Sequence, residues 1–136
     1  MSSKPVILYV EDDIESREIL RLLVTNIMGI ENLTIFEDSE NFIERLHALE
    51  PQPNLILLDI HVPPYNGFEM LKMLHELEEF ADVPIVALTA SVMNEEVQQL
   101  QQAGFDSIIP KPLDMDKFPI LIRQILQGSR VWNVIY

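Results

Sequence analysis

Pro5-Val6-Ile7-Leu8-Tyr9-Val10 is an unbroken apolar run, and it stops abruptly at Glu11-Asp12-Asp13. An apolar run without alternation suits a strand buried on both faces, the kind found inside a parallel sheet. Such a strand needs helices above and below it. The rest of the chain supplies them. Short apolar runs recur at 33–36, 54–58, 83–88 and 107–109. The run at 54–58 also has the pattern of a buried helix turn; its length and the flanking Pro51 and Pro53 favour a strand.

Between these runs lie segments of helical period. In 14–28, Ile19, Leu20, Leu23, Val24 and Ile27 share a face; in 39–49, Phe42, Ile43, Leu46 and Leu49 do so behind Ser39, a suitable N-cap. Phe68, Leu71, Leu74 and Leu77 mark 67–79, and Val97 and Leu100 mark 94–102, which Gly104 should end. Phe118, Leu121, Ile122, Ile125 and Leu126 mark 114–127, with Asp114 as cap and Gly128 as stop. Five strands alternating with five helices predict an α/β protein: a parallel five-stranded sheet between two helical layers.

The 136 residues fit one domain at about 150 residues per domain. The expected division is a globular unit over 4–127 and an apolar tail over 128–136, too short for an effector domain. Without cysteine there is no disulfide framework, thiolate zinc site or thiol nucleophile. A net charge of −13 argues against direct nucleic-acid binding and against docking to anionic membranes. No signal-peptide pattern opens the chain and no apolar run approaches the roughly 20 residues that span a bilayer, so a cytoplasmic location is expected.

In an open parallel sheet the working groups gather at the carboxyl ends of the strands. The first strand ends in Glu11-Asp12-Asp13, the third in Asp59, the fourth in Thr89, and Lys111 follows the fifth. Each has a structural reading of its own. Asp12 or Asp13 can cap a helix, Thr89 can close a turn, and Lys111 can be a solvated surface charge. Their conjunction at four strand ends is what carries weight. Clustered carboxylates call for a cation, and all-oxygen ligands suit Mg²⁺. A free oxygen of Asp59 could attack phosphorus while a hydroxyl and an ammonium hold the phosphoryl oxygens.

The pieces V-E-D-D-x-x-x-R at 10–17, L-L-D-I-x-x-P-x-x-x-G at 57–67, A-L-T-A at 87–90 and K-P at 111–112 resemble, in order and spacing, the receiver domain of two-component response regulators, the chemotaxis type. The resemblance implies a (βα)₅ flavodoxin-like three-layer sandwich with strand order 2-1-3-4-5. It implies that Asp59 is the phosphoacceptor, loaded from a sensor histidine kinase or histidine phosphotransfer protein, with Thr89 and Lys111 on the phosphate. It implies Mg²⁺ held by Asp12, Glu11, Asp59 and the backbone carbonyl of His61, with Asp13 as an extra neighbour, and a cis Lys111–Pro112 bond. Such a protein is not an enzyme on other molecules; it catalyses only its own phosphorylation and dephosphorylation.

Two positions depart from the resemblance. Ile108 stands where the family often has an aromatic side chain that swings on phosphorylation, so that switch cannot operate here. Pro110 removes a backbone donor near the sheet edge. The His61 side chain is either a solvated loop residue or a group that alters phosphoryl lifetime. His47 and His75 read as surface or boundary residues, and the six Met as core filler.

Rival functions can be weighed on the same residues. A haloacid-dehalogenase-type phosphatase needs its nucleophile after the first strand in an Asp-x-Asp pair, whereas Asp59 follows the third and position 61 is His. A flavin site needs a phosphate-cradling loop where Glu11-Asp12-Asp13 stands. The remaining rival is a pseudo-receiver, the same fold acting as a phosphorylation-independent interaction module. Output is expected through a partner protein, or, for a receiver, by passing the phosphoryl group on in a phosphorelay. Residues 1–116 hold all 22 acids, while residues 117–136 hold Lys117, Arg123 and Arg130 and no acid. The apolar tail from Val131 to Tyr136 either folds back on its own last helix or pairs with a second chain; a homodimer through the last helix and tail is the expectation.

Overall fold

The computed structural model describes residues 4–132. Five parallel strands, β1 (Val6–Val10), β2 (Asn32–Phe36), β3 (Leu55–Asp59), β4 (Ile85–Thr89) and β5 (Ser107–Pro110), form one sheet in the order β2-β1-β3-β4-β5. The helices are α1 (Ile14–Arg21), α2 (Phe42–His47), α3 (Gly67–His75), α4 (Asn94–Ala103) and α5 (Lys117–Leu126). Architecture and strand order agree with expectation.

Alternation along each strand builds two cores. Leu8, Val10, Ile56, Leu58, Ala87 and Ile108 face Phe42 and Leu46 of α2, Met70, Leu71 and Leu74 of α3 and Leu100 of α4. Ile7, Tyr9, Leu55, Leu57, Val86, Leu88 and Ile109 face Leu20 of α1 and Phe118, Leu121, Ile122 and Ile125 of α5. Both faces of the central strands are dry, and each fully buried Leu or Ile contributes about 1.5–3 kcal/mol.

The helices depart from their expected limits for local reasons. After Arg21 the first helix widens into a π-helical segment, Leu22–Ile27, and the Thr25 hydroxyl donates to the Arg21 carbonyl at 2.6 Å. The second helix begins at Phe42 rather than at residue 39, because Asn41 adopts a left-handed φ of 50°. Ser39 is therefore not its N-cap: it is buried, and its hydroxyl bridges the N–H and C=O of Tyr65, both at 2.7 Å. The third helix is shorter than expected. It opens on a reciprocal capping box of Asn66 and Glu69 and stops at His75, with a separate 3₁₀ turn at Glu78–Phe80. Gly104 ends α4 at φ 110°, a left-handed conformation that favours glycine, and a Cβ there would lie 2.5 Å from the exposed His75 ring, which would have to move. The fifth helix starts at Lys117, and Asp114 accepts the N–H groups of Asp116 and Lys117 at 2.9 Å.

Beyond α5 the chain turns at Gly128 (φ 99°) and crosses the open edge of β5. The Ile108 N–H donates to the Val131 carbonyl at 3.0 Å, and the Val131 N–H to the Ser107 hydroxyl at 2.8 Å. Val131 packs against the α1–α5 side of the core and Trp132 against the other. The described start of the tail thus folds back on its own chain, on β5 as well as beside the last helix. The rest of the expected tail contact, residues 133–136, lies outside the described residues.

Candidate functional site

Parallel pairing brings the strand ends together. Asp59 is opposite Leu88 and Thr89 opposite Pro110 in the ladder, so the last residues of β3 and β4 are neighbours on one edge. Pro110 brings no N–H, but the Lys111 N–H donates to the Thr89 carbonyl at 2.9 Å and keeps the strand end paired. The Lys111–Pro112 bond is cis, as expected. The loop after β3 is held close by Gly67, whose N–H donates to the Ile60 carbonyl at 3.0 Å; a Cβ there would meet Ile60 at 2.9 Å.

The acidic residues after β1 divide their work. Asp13 is the helix cap: its carboxylate accepts from the Ser16 N–H at 2.9 Å and hydroxyl at 2.8 Å, and these bonds hold its pKa below the usual range. Glu11 turns inward and is fully buried, while Asp12 stays exposed at the edge. Arg17 donates to the Glu11 carbonyl at 3.1 Å, pinning this turn from the first helix.

Glu11, Asp12 and Asp59 each bring a carboxylate oxygen within 4.8 Å of the others. Every donor is a hard oxygen, with no sulfur or imidazole, so the set fits a small hard divalent cation. Burial holds the Asp59 carboxyl above the usual carboxylate range, the Glu11 charge pushes the same way, and Lys111 opposes both. The Lys111 ammonium donates to Glu11 Oε1 at 2.6 Å and to Asp59 Oδ1 at 3.2 Å. Burial works against its charge, but the two carboxylates outweigh burial and raise its pKa.

Thr89 is buried at the end of β4, and its hydroxyl exchanges hydrogen bonds with the backbone of Ser91 at 3.2 and 3.3 Å. His61 lies exposed in the loop after β3. His47 is a surface residue, as expected, with its Nε2 2.8 Å from Glu79. Ile108 is buried under the α4 side of the sheet.

One site residue escapes a reading of strand ends alone. Tyr9 is fully buried in β1, and its hydroxyl donates to Glu11 Oε1 at 2.6 Å. Burial and then this hydrogen bond raise its pKa above the ordinary phenol value. The signal was present in the sequence: Tyr9 and Glu11 are two apart in an extended segment, so they face the same way.

Arranged this way, the site can bind a cation through three acids, expose one carboxylate oxygen as a nucleophile, and meet added negative charge with an ammonium and a hydroxyl. Residues 7–123 match the family described as the response regulator receiver domain. Two relatives are both called polar-differentiation response regulator DivK. The protein from Brucella anthropi is 31% identical over 121 residues, covering 88% of this chain and 94% of its own. The protein from Brucella ovis is 35% identical over 79 residues, covering 58% of this chain and 64% of its own. Among solved structures, the signal receiver domain of a DNA-binding response regulator from Colwellia psychrerythraea superposes with a TM-score of 0.79 at 21% identity, covering 92% of this chain and all of that one.

Proposed function

The chain belongs to the response regulator receiver family, and from that premise we propose that it accepts a phosphoryl group on Asp59 and signals by binding a partner protein or passing the group on. Receiver domains interact with histidine kinases or histidine phosphotransfer proteins, and a phosphohistidine of that kind is the proposed donor. The observation that carries the reading is the convergence of Glu11, Asp12 and Asp59, whose carboxylate oxygens lie within 4.8 Å of one another, with Lys111 bonded to Glu11 and Asp59, beside Thr89 on the next strand.

In the proposed step an Asp59 oxygen attacks phosphorus, the P–O bond forms, and the P–N bond to the donor imidazole breaks. Glu11, Asp12, Asp59 and the His61 carbonyl are the groups that would hold Mg²⁺. Bound there, the ion supplies positive charge against the phosphoryl oxygens. Lys111 exchanges a carboxylate for one phosphoryl oxygen, and the Thr89 hydroxyl leaves the Ser91 carbonyl to donate to another. The chain's own residues therefore start the reaction in contacts that the product can replace one for one. His61 is exposed on the loop after β3, and the proposal that its side chain alters phosphoryl lifetime is tested by decay of the phosphorylated wild type against His61→Ala; equal rates remove that role.

Incubation with Mg²⁺ and a small acyl phosphate, followed by intact-mass measurement, tests the reading. One added phosphoryl group in the wild type, absent in Asp59→Asn, is the expected result. No added mass supports the pseudo-receiver instead. A cytoplasmic location accords with the described helices, none of which is long and apolar enough to cross a membrane. The homodimer is proposed on the outer face of α5, where Ile120 is exposed, since Val131 and Trp132 are engaged with their own sheet. Sedimentation of the full chain against one ending at Gly128 tests the tail's share, and a monomeric full chain removes the dimer.

A further inference from the structure

Glu11 Oε1 accepts two short hydrogen bonds, from the Tyr9 hydroxyl and from Lys111 Nζ, both at 2.6 Å. Its other oxygen accepts the Asp13 N–H, at 3.2 Å. The two donors on Oε1 differ in mobility. Lys111 reaches in on a flexible stem from the loop after β5. Tyr9 stands in the middle of the sheet, paired in register with Ile35 of β2 and Leu57 of β3, with no exposed surface.

Resting on the receiver reading, we propose that Tyr9 is a positioning residue that fixes the Glu11 carboxylate toward the cation and frees Lys111 to leave it. The proposed reaction requires Lys111 to turn to a phosphoryl oxygen. Were Lys111 the only donor on Oε1, its departure would strand a lone pair of a fully buried carboxylate, which is costly. The phenol stays behind and keeps that oxygen satisfied. It also fixes the side-chain rotamer, as a group behind a metal ligand does. A phenyl ring at position 9 would fill the same space in the core and donate nothing. A core phenol with no share in the site would affect the melting temperature alone.

The test uses the full chain and Mg²⁺ alone. Isothermal calorimetry on wild type and Tyr9→Phe, each shown to be folded by its melt in chelator, should find Mg²⁺ bound about tenfold more weakly by the variant. A second measurement needs no variant at position 9. With [¹³Cζ]-tyrosine, the Tyr9 resonance is assigned by elimination using Tyr65→Phe and Tyr136→Phe, and it should move along the same Mg²⁺ isotherm as the calorimetry. Equal affinities in wild type and Tyr9→Phe, or a Tyr9 resonance unmoved at Mg²⁺ saturation, overturn the proposal. Absence of Mg²⁺ binding by the wild type overturns it together with the metal site. Failure of the wild type to take up phosphoryl from an acyl phosphate overturns the receiver reading, while the affinity comparison still decides the role of Tyr9.

Discussion

Lys111 lies closer to Glu11, at 2.6 Å, than to Asp59, the proposed phosphoacceptor, at 3.2 Å. Two buried carboxylates share one ammonium. The arrangement is asymmetric: loss of the lysine leaves two like charges facing each other, whereas loss of one acid leaves a matched pair. A cation drawn to the acids must compete with the same ammonium. Stability and metal affinity are therefore coupled through this one side chain.

Lys111→Ala is expected to lower stability at pH 7 in chelator by about 3 kcal/mol, the low end for breaking a buried pair. The raised pKa of Lys111 means that its contribution is fully present through neutral pH and is lost only as pH rises through its folded value. Mg²⁺ should restore most of the loss, and the variant should bind Mg²⁺ at least as tightly as wild type. Urea unfolding with and without Mg²⁺ checks this; an unchanged midpoint in chelator would show that the pair contributes nothing.

Asp59→Asn is expected to stabilise the metal-free protein by about 1 kcal/mol at pH 7, or roughly 3–5 °C in melting temperature for a domain of this size. Burial, with the Glu11 charge behind it, raises the folded pKa of Asp59 above its unfolded value. The ionised side chain thus costs stability above the folded pKa, and the cost fades as pH falls through that pKa toward the unfolded one. The advantage of Asn should shrink in acid and vanish once Asp59 is protonated in both states. Melts across pH in chelator would contradict this if the difference grew toward acid.

Much of this was legible in the residues. The apolar runs placed all five strands, because both faces of this sheet are covered and no alternation blurs them. Helix starts were less legible. Ser39 has the chemistry of an N-cap ahead of the apolar period that begins at Phe42, yet Asn41 takes a left-handed turn and Ser39 is drawn to Tyr65, a partner 26 residues away. The strand-end acids were readable as a group from their residues, but only the resemblance set Asp13 apart, and neither showed which acid would be buried. Asp13 became the cap and Glu11 the buried carboxylate because Ser16 and Tyr9 sit where each can donate.

Ser39→Ala should destabilise by about 2 kcal/mol, near the cost of leaving buried backbone groups unpaired. The hydroxyl serves both the N–H and the C=O of Tyr65 and so ties the loop after β2 to the loop after Asp59. Hydrogen exchange should show the Tyr65 amide losing protection in the variant. Unchanged protection would mean that the tie is dispensable.

The strap over β5 gives the one tryptophan a diagnostic position. Trp132 is partly buried against the core on the α4 side, reached by a chain that hydrogen-bonds to Ile108 and Ser107 on the way. The contact closes the backbone edge of β5 against a foreign strand. Trp132→Ala should cost about 1–2 kcal/mol, below the 3–5 kcal/mol of a fully buried aromatic. Ser107→Ala, which removes the acceptor for the Val131 N–H, should shift native tryptophan emission to the red. In wild type, unfolding followed by that emission should coincide with unfolding followed by far-UV circular dichroism, as one cooperative unit requires. An emission transition at lower denaturant would mean that the strap peels away before the domain unfolds, and β5 would then be open to a partner in the folded protein.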